Sequence, residues 1–307
     1  MPAYLAFGLR IDSERELAAA VVQDTRRISS PGAQSDVTIR WADLDHPDEG
    51  AAGNGDLGWY DFRHGLHRFG WPQVGVIEVR DGREIVVRTR TDIIEGLTEQ
   101  ALLGPVMADI LLNRSLLPLH ASASCVAGRA IAIVGRSGVG KSTLTAALEL
   151  SGHPVFADDL LGVPIRAKPV VDCGVRRSKL DPETNRALGK AFLEPRTNGK
   201  AAGARGVNDN VSPDLPRAPL DVIYRLEDGS EITIDPIDPR RAIFELFLNL
   251  YRVEVEHYVF GAQELLRRCS EVAARVPVFT LRRPRDLATL PRVTAAVAEH
   301  ARLLRPT

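Results

Sequence analysis

Residues 135–142 read GRSGVGKS and match the pattern G-x-x-x-x-G-K-[S/T] in full. In this pattern the glycines let the backbone fold into a nest of N–H groups that binds anions. The lysine, here Lys141, reaches the β- and γ-phosphates of a nucleotide, and the hydroxyl of Ser142 is a ligand for Mg²⁺. The motif therefore predicts a site for ATP and Mg²⁺, with contacts from Gly135, Ser137, Gly138, Val139, Gly140, Lys141, Ser142 and Thr143.

Two adjacent aspartates, Asp158 and Asp159, end the short strand that is predicted after the helix following the motif. Ligands of open α/β sheets bind at the carboxyl ends of strands, so this pair should lie beside the loop. Phosphoryl transfer needs a carboxylate near Mg²⁺ and a group that accepts the proton of the attacking hydroxyl. Adjacent aspartates can do both; the alternative is a solvated strand end followed by a turn.

A histidine, His120, precedes Gly135 by 15 residues and stands in segment 117–126, which reads as a strand. If this strand pairs with residues 129–134, the imidazole approaches the phosphates; the alternative is a core histidine with satisfied hydrogen bonds. His64 and His67 have a spacing typical of metal ligands, but no acidic or cysteine cluster completes a site, so we expect structural or surface roles.

The elements that must position these residues follow a strand–helix alternation after residue 97. Strands are predicted at 129–134, 154–157 and 278–281, with a hairpin of 221–226 and 231–237 around Asp228-Gly229. Helices are predicted at 98–113, 141–150, 238–252, 262–276 and 290–303, and Cys269 falls on the inner face of the fourth.

The first hundred residues read mainly as strands, at 4–11, 36–41, 74–80 and 83–89, the last two joined by the hairpin signal Asp81-Gly82. We therefore predict an α/β protein with a mostly-β N-terminal domain, residues 1–97, and a phosphate-loop kinase domain, residues 98–307. Residues 194–218 are rich in Gly, Asn and Pro. We expect them to close over ATP or the acceptor through Lys200 or Arg205; an idle surface insertion is the alternative.

Composition limits the partners. The 307 residues carry 39 basic and 40 acidic side chains, a net charge of −1, which argues against a dominant nucleic-acid or membrane-surface role. No apolar run approaches the length of a membrane-spanning helix, and the 3 cysteines are too scattered for a disulfide framework. We expect a cytoplasmic protein, and the sequence leaves a homo-oligomer open.

Residues 120–163, HASASCVAGRAIAIVGRSGVGKSTLTAALELSGHPVFADDLLGV, resemble the core of the HPr kinase/phosphorylase family. The likeness is greater to the HPr-kinase-like precursor-peptide kinases of lasso-peptide biosynthesis. This resemblance implies a fold akin to phosphoenolpyruvate carboxykinase. It also implies transfer of the γ-phosphate to a Ser/Thr hydroxyl, or a terminal Ser hydroxyl, of a peptide or protein such as a lasso precursor.

The resemblance also implies residue roles. Asp158 matches the catalytic base, Asp159 and Ser142 match the metal side, and His120 matches a residue that lines the phosphate site. Arg177 and Lys179 match a basic segment that faces the nucleotide.

The sequence departs from the family at two places. The Glu-Arg-Gly segment of the bifunctional enzymes and their C-terminal Arg/Asn-rich signature are absent, so HPr as substrate and the reverse phosphorylase activity are not implied. A small-molecule kinase and a non-catalytic ATP-binding sensor or scaffold are the alternatives. The presence of Lys141, Asp158 and Asp159 argues against the sensor, which needs no base.

Overall fold

The computed structural model describes residues 1–17, 34–43, 58–89, 96–167, 169–175, 217–252 and 259–304, with the single positions 184, 186 and 188. Within these ranges the chain is a mixed α/β structure with two seven-stranded sheets and one two-stranded sheet. The predicted loop at 194–218 lies outside the described residues apart from its last two positions, which begin a strand, and Arg177 and Lys179 also lie outside them.

The first sheet contains the N-terminal strands in the order β1-β2-β3-β7-β6-β5-β4. The predicted strand 4–11 is two strands, because Phe7 and Gly8 adopt positive φ angles of 56° and 75° and turn the chain. The hairpin at Asp81-Gly82 is confirmed, with φ angles of 49° and 61°. The strands are β1 Ala3–Ala6, β2 Leu9–Ser13, β3 Val37–Asp43, β4 Trp59–Arg63, β5 Leu66–Trp71, β6 Gly75–Arg80 and β7 Glu84–Thr89.

The helix predicted at 98–113 is present but contains an irregular turn. It consists of α1 (Leu97–Ala101), a π-helical turn (Leu102–Val106) and α2 (Met107–Asn113). Pro105 lies inside the π-helical turn; its ring cannot donate a backbone hydrogen bond, which suits a locally widened helix. The buried side chains at 102–111 pack into the core of the first sheet, while the predicted boundary at residue 97 stays a prediction.

The second sheet has the order β11-β9-β10-β14-β16-β15, with β13 also paired to β14. Strands β10, β14 and β16 run parallel, and β9, β11 and β15 extend the sheet at its two sides. The strands are β9 Ser122–Val126, β10 Arg129–Val134, β11 Val155–Ala157, β13 Val170–Asp172, β14 Arg217–Asp228, β15 Thr233–Pro236 and β16 Val278–Arg283. Strands β8 (Leu116–Leu119) and β12 (Leu161–Pro164) form the small sheet.

Helices cover both faces of the second sheet, as alternating strand residues require. Ile131 and Ile133 pack on one face with α3 (Lys141–Leu150) and α6 (Leu290–Leu303). Ala132 and Val134 pack on the other face with α4 (Pro239–Leu248) and α5 (Ala262–Ala273). Cys269 is buried in this second core, as predicted, and a short 3₁₀ turn, Leu287–Thr289, precedes α6.

One predicted strand and one predicted pairing are wrong. The segment 117–126 is not one strand: β8 belongs to the small sheet and β9 to the second sheet, so His120 lies where the chain passes between them. The pairing of this segment with residues 129–134 is confirmed for β9, which runs antiparallel to β10. Strands β14 and β15 do not form a hairpin, because β16 lies between them. Strand β14 is buried over most of its length, so its backbone needs hydrogen-bonding partners on both edges. Strands β10 and β16 are those partners, and both run parallel to β14.

Two helices end earlier than predicted. Helix α4 begins as expected, with Asp238 accepting hydrogen bonds from the backbone N–H groups of Arg240 and Arg241, but it ends at Leu248. The chain then turns, and Leu250 forms a β-bridge with Leu119. Helix α5 ends at Ala273 instead of 276. None of the helices in the described part of the chain combines the length and apolar character needed to cross a bilayer.

Candidate active site

The residues of the phosphate-loop motif form a loop between β10 and α3. Gly135, Gly138 and Gly140 have φ angles of 143°, 76° and 101°, which residues with a Cβ rarely adopt. At the start of α3 no side chain among the described residues caps the N-terminal turn. The backbone N–H groups and the positive end of the helix dipole therefore meet at the loop, which is the arrangement that binds phosphate.

The lysine of the motif is held close to the loop itself. Lys141 has an exposed fraction of 6%, and its Nζ donates a hydrogen bond of 2.8 Å to the carbonyl oxygen of Gly135. A buried ammonium needs such partners, because removing a charge from water is costly. The ammonium group of Lys141 is thus held beside Gly135, the first residue of the loop.

Two arginines, Arg283 at the end of β16 and Arg285 just after it, donate hydrogen bonds to backbone carbonyls of the loop. Arg283 Nη2 donates to the carbonyl of Val139 at 2.7 Å, and Arg285 Nη2 donates to the carbonyl of Gly138 at 2.8 Å. Burial lowers the pKa of the Arg283 guanidinium, although Asp228 at 3.8 Å opposes this effect. An arginine stays charged under such a shift, so its positive charge lies next to the backbone of the loop.

The first aspartate of the pair faces the motif serine. Asp158 is 7% exposed, and its Oδ1 accepts hydrogen bonds from Ser142 Oγ at 3.0 Å and Ser122 Oγ at 2.7 Å. Strand order explains this contact, since β9 lies between β10 and β11 and carries Ser122 to the edge where the loop begins. The roles implied by the family put Ser142 together with Asp159, whereas the structure pairs Ser142 with Asp158.

The second aspartate faces the other way. Asp159 has a φ of 80°, and its Oδ1 lies 3.3 Å from Nε2 of His120. Its Oδ2 accepts a hydrogen bond of 3.2 Å from the hydroxyl of Tyr251. The side chains of His120 and Asp159 are 37% and 21% exposed, so this pair is far more accessible than Asp158.

One side chain connects the loop to the histidine. The Oδ1 of Asn249 accepts a hydrogen bond of 2.8 Å from the N–H of Gly135. The backbone carbonyl of Asn249 accepts one of 2.8 Å from the N–H of His120. The end of α4 therefore sets the position of the first loop residue and of the histidine together.

A cavity of about 600 Å³ opens beside the loop, a volume within the usual range for small-ligand sites. Its wall on the loop side includes His120, Gly135, Arg136, Ser137 and Val139. Arg225 also lines the cavity; its Nε lies 2.7 Å from Glu245 and its Nη1 lies 2.5 Å from Glu227.

The structure thus brings Lys141, Ser142, Asp158, Asp159 and His120 to one edge of the second sheet. Thr143 lies in the first turn of α3, and Ser137 and Val139 lie in the loop. His64 is exposed and His67 contacts Asp109 at 2.8 Å, in line with the expected surface and structural roles.

Five site residues escaped the sequence analysis: Ser122, Asn249, Tyr251, Arg283 and Arg285. Asn249 and Tyr251 fell inside the helix predicted at 238–252, which hid them, and the local signal for the two arginines was the run LRRPR at a strand end.

The residues fit a magnesium ion held together with phosphates. The described ranges contain no group of three or more His, Cys, Asp or Glu side chains that could hold a metal alone. Mg²⁺ is usually bound by one or two carboxylates plus the phosphates of its substrate. The hydroxyl of Ser142 and the carboxylate of Asp158 are a suitable protein contribution to such a site.

No protein-family model matches the sequence, and no curated protein matches it. Among solved structures, the HPr(Ser) kinase/phosphatase from Coxiella burnetii aligns with a TM-score of 0.30 and 13% identity. The alignment covers 60% of this chain and 95% of that chain.

Proposed function

We propose that this protein is a kinase that transfers the γ-phosphate of ATP, in the presence of Mg²⁺, to a hydroxyl group of a peptide or protein. One observation carries the proposal: the glycine-rich loop, the Ser142–Asp158 pair and the Asp159–His120 pair meet at one sheet edge. A nucleotide sensor would need the loop, but it would not need a second, accessible carboxylate beside it.

In this proposal the loop N–H groups and Lys141 bind the phosphates, and Ser142 and Asp158 hold Mg²⁺. When bound, the ion neutralises negative charge on the β- and γ-phosphates. Arg283 and Arg285 keep the carbonyls of Val139 and Gly138 turned toward β16, away from the phosphates. Such fixed dipoles and charges lower the transition-state energy because they need not reorganise during the reaction.

Asp159 accepts the proton of the attacking hydroxyl, and His120 and Tyr251 orient its two oxygens. This division reverses the roles that the family resemblance implies for the two aspartates. It is supported by the contact of Ser142 with Asp158 and by exposure, since an acceptor must reach the base from solvent. Asp158 is only 7% exposed, and its Oδ1 accepts hydrogen bonds from two serine hydroxyls, so an acceptor reaches it less easily than it reaches Asp159.

The acceptor class rests on the resemblance of residues 120–163 to the precursor-peptide kinases. We propose a Ser or Thr hydroxyl, including the hydroxyl of a terminal Ser, on a peptide such as a lasso precursor. A cytoplasmic location belongs to the same proposal.

The test offers γ-labelled ATP and Mg²⁺ to a set of synthetic peptides that carry internal and C-terminal Ser or Thr residues. We expect labelled peptide and a mass increase of one phosphate on a Ser or Thr, and no label with Lys141→Ala. ATP binding without transfer to the peptides, to small hydroxyl compounds or to water would instead identify a sensor. Transfer to small hydroxyl compounds alone would identify a small-molecule kinase.

A further inference from the structure

Tyr251 connects the second aspartate with the N-terminal part of the fold. Its hydroxyl donates to Asp159 Oδ2 at 3.2 Å, its ring packs against the core of the first sheet, and its N–H donates to the carbonyl of Pro118 at 2.8 Å. The next residue, Arg252, donates to the hydroxyl of Tyr60 on β4 at 2.9 Å. The backbone of Tyr251 is therefore held by Pro118, and the side chain of the next residue contacts the first sheet.

Gly104 provides the space for the Tyr251 hydroxyl. A Cβ at this position would lie 2.5 Å from Tyr251 Oη and 3.3 Å from Cζ. Gly104 belongs to the π-helical turn 102–106, whose side chains form part of the core of the first sheet. π-helical turns are rare and often lie at functional sites, and this one lies beside the hydroxyl that contacts Asp159.

The backbone conformation of Asp159 has to be held by contacts with neighbouring residues. Its φ of 80° lies in the left-handed region, which non-glycine residues occupy only when surrounding contacts hold them there. The contact with His120 orients one carboxylate oxygen, and the contact with Tyr251 orients the other. The direction in which the carboxylate faces therefore depends on the position of Tyr251.

We propose that Tyr251 is a positioning residue for Asp159 and that the N-terminal sheet, through the π-helical turn at Gly104, sets where Tyr251 stands. The inference rests on the proposed function, in which Asp159 accepts the proton. It gives the N-terminal strands a role in catalysis that requires no contact with either substrate.

The hydrogen bond has a predictable effect on the rate. Without the Tyr251 hydroxyl, one oxygen of Asp159 loses its donor, so the carboxylate is no longer held in one direction. A base that is misdirected for part of the time lowers kcat, by about tenfold for the loss of one orienting contact. The KM for ATP should be unchanged, because the hydroxyl binds the proposed base.

The experiment compares Tyr251→Phe, Gly104→Ala and the double variant in the full chain, with Tyr4→Phe as control. Tyr4 is a buried tyrosine of the first sheet whose hydroxyl accepts from the N–H of Leu17 at 2.8 Å. We expect Gly104→Ala alone to displace the hydroxyl and reproduce the loss of kcat of Tyr251→Phe. In the Tyr251→Phe background the 2.5 Å contact with the hydroxyl is gone, and the methyl group lies 3.3 Å from Cζ and 3.7 Å from Cε1, so Gly104→Ala should add much less than it does alone.

A second readout separates this inference from the proposed function. Crystal structures of the variants report the direction of the Asp159 carboxylate without any catalysis. We expect the carboxylate to leave its wild-type position in Tyr251→Phe and Gly104→Ala and to keep it in Tyr4→Phe. An unchanged carboxylate in Tyr251→Phe, or additive effects in the double variant, would overturn the inference. A displaced carboxylate in the variants of a protein that transfers no phosphate would overturn only the proposed function.

Discussion

Replacing Asp158 by asparagine should weaken Mg²⁺-dependent ATP binding about 10- to 100-fold, the usual loss when a metal site loses one oriented carboxylate partner. The substitution suits this position because both serine hydroxyls donate to the same oxygen, Oδ1, which an asparagine amide retains. Alanine would instead leave the hydroxyls of Ser122 and Ser142 without this acceptor, at about 1–3 kcal/mol for Ser122, which is buried, and less for the half-buried Ser142.

The matched variant is Asp159→Asn, which removes the charge from the neighbouring residue. Its hydrogen bonds involve His120 and Tyr251, not the motif serine, so ATP affinity should be little changed. Loss of a general base costs about 10²- to 10⁴-fold in rate, which corresponds to about 3–5 kcal/mol in the barrier. The two asparagine variants should therefore fail at different steps.

The assay is isothermal titration of both variants with ATP, with and without Mg²⁺, beside single-turnover transfer of labelled phosphate at saturating nucleotide. We expect Asp158→Asn to lose the Mg²⁺-dependent part of the affinity and Asp159→Asn to lose only the rate. The opposite pattern, with the metal effect lost in Asp159→Asn and kept in Asp158→Asn, would refute the assignment and restore the roles that the family resemblance implies.

Three further outcomes are expected. Lys141→Arg should be as inactive in the labelled-ATP assay as Lys141→Ala, because a planar guanidinium fork does not fit a loop shaped around an ammonium; full activity would contradict the proposed site. Arg283→Met should weaken ATP binding by roughly tenfold in calorimetry through the lost support of Val139, whereas Arg282→Met, which faces Asp235, should not; equal affinities would contradict the support. Hydrogen bonds from Arg267 and Arg268 lower the pKa of Glu264 from 4.5 to about 2, so the group stabilises the fold above pH 4.5 and loses this effect as the pH falls toward 2; the melting temperature difference between the wild type and Glu264→Gln should shrink over that range, and a constant difference would refute the effect.

Short-range features of the chain could be predicted from the sequence alone. The bounds of β10, α3 and α6 agree with the structure because each is set by local signals: an apolar run, the glycine motif, and an apolar stripe with helical spacing. The turn at Asp81-Gly82 was predictable for the same reason, since two adjacent positive φ angles require particular residue types. The motif also defined which end of the sheet should carry the chemistry.

What local pattern could not decide was the partner of each strand and the direction of each site side chain. Strand β16 lies between β14 and β15, although 50 residues separate Asp228 from Val278 and only a short turn separates β14 from β15. The contacts of Asp159 with Tyr251 and of Gly135 with Asn249 span 92 and 114 residues. Residue type and spacing identify groups capable of chemistry, but burial of both sheet faces fixes the strand order. The strand order places the end of β11 near the loop, where Asp158 contacts Ser142. The φ of 80° at Asp159 then turns the backbone, and the side chain of Asp159 contacts His120 instead.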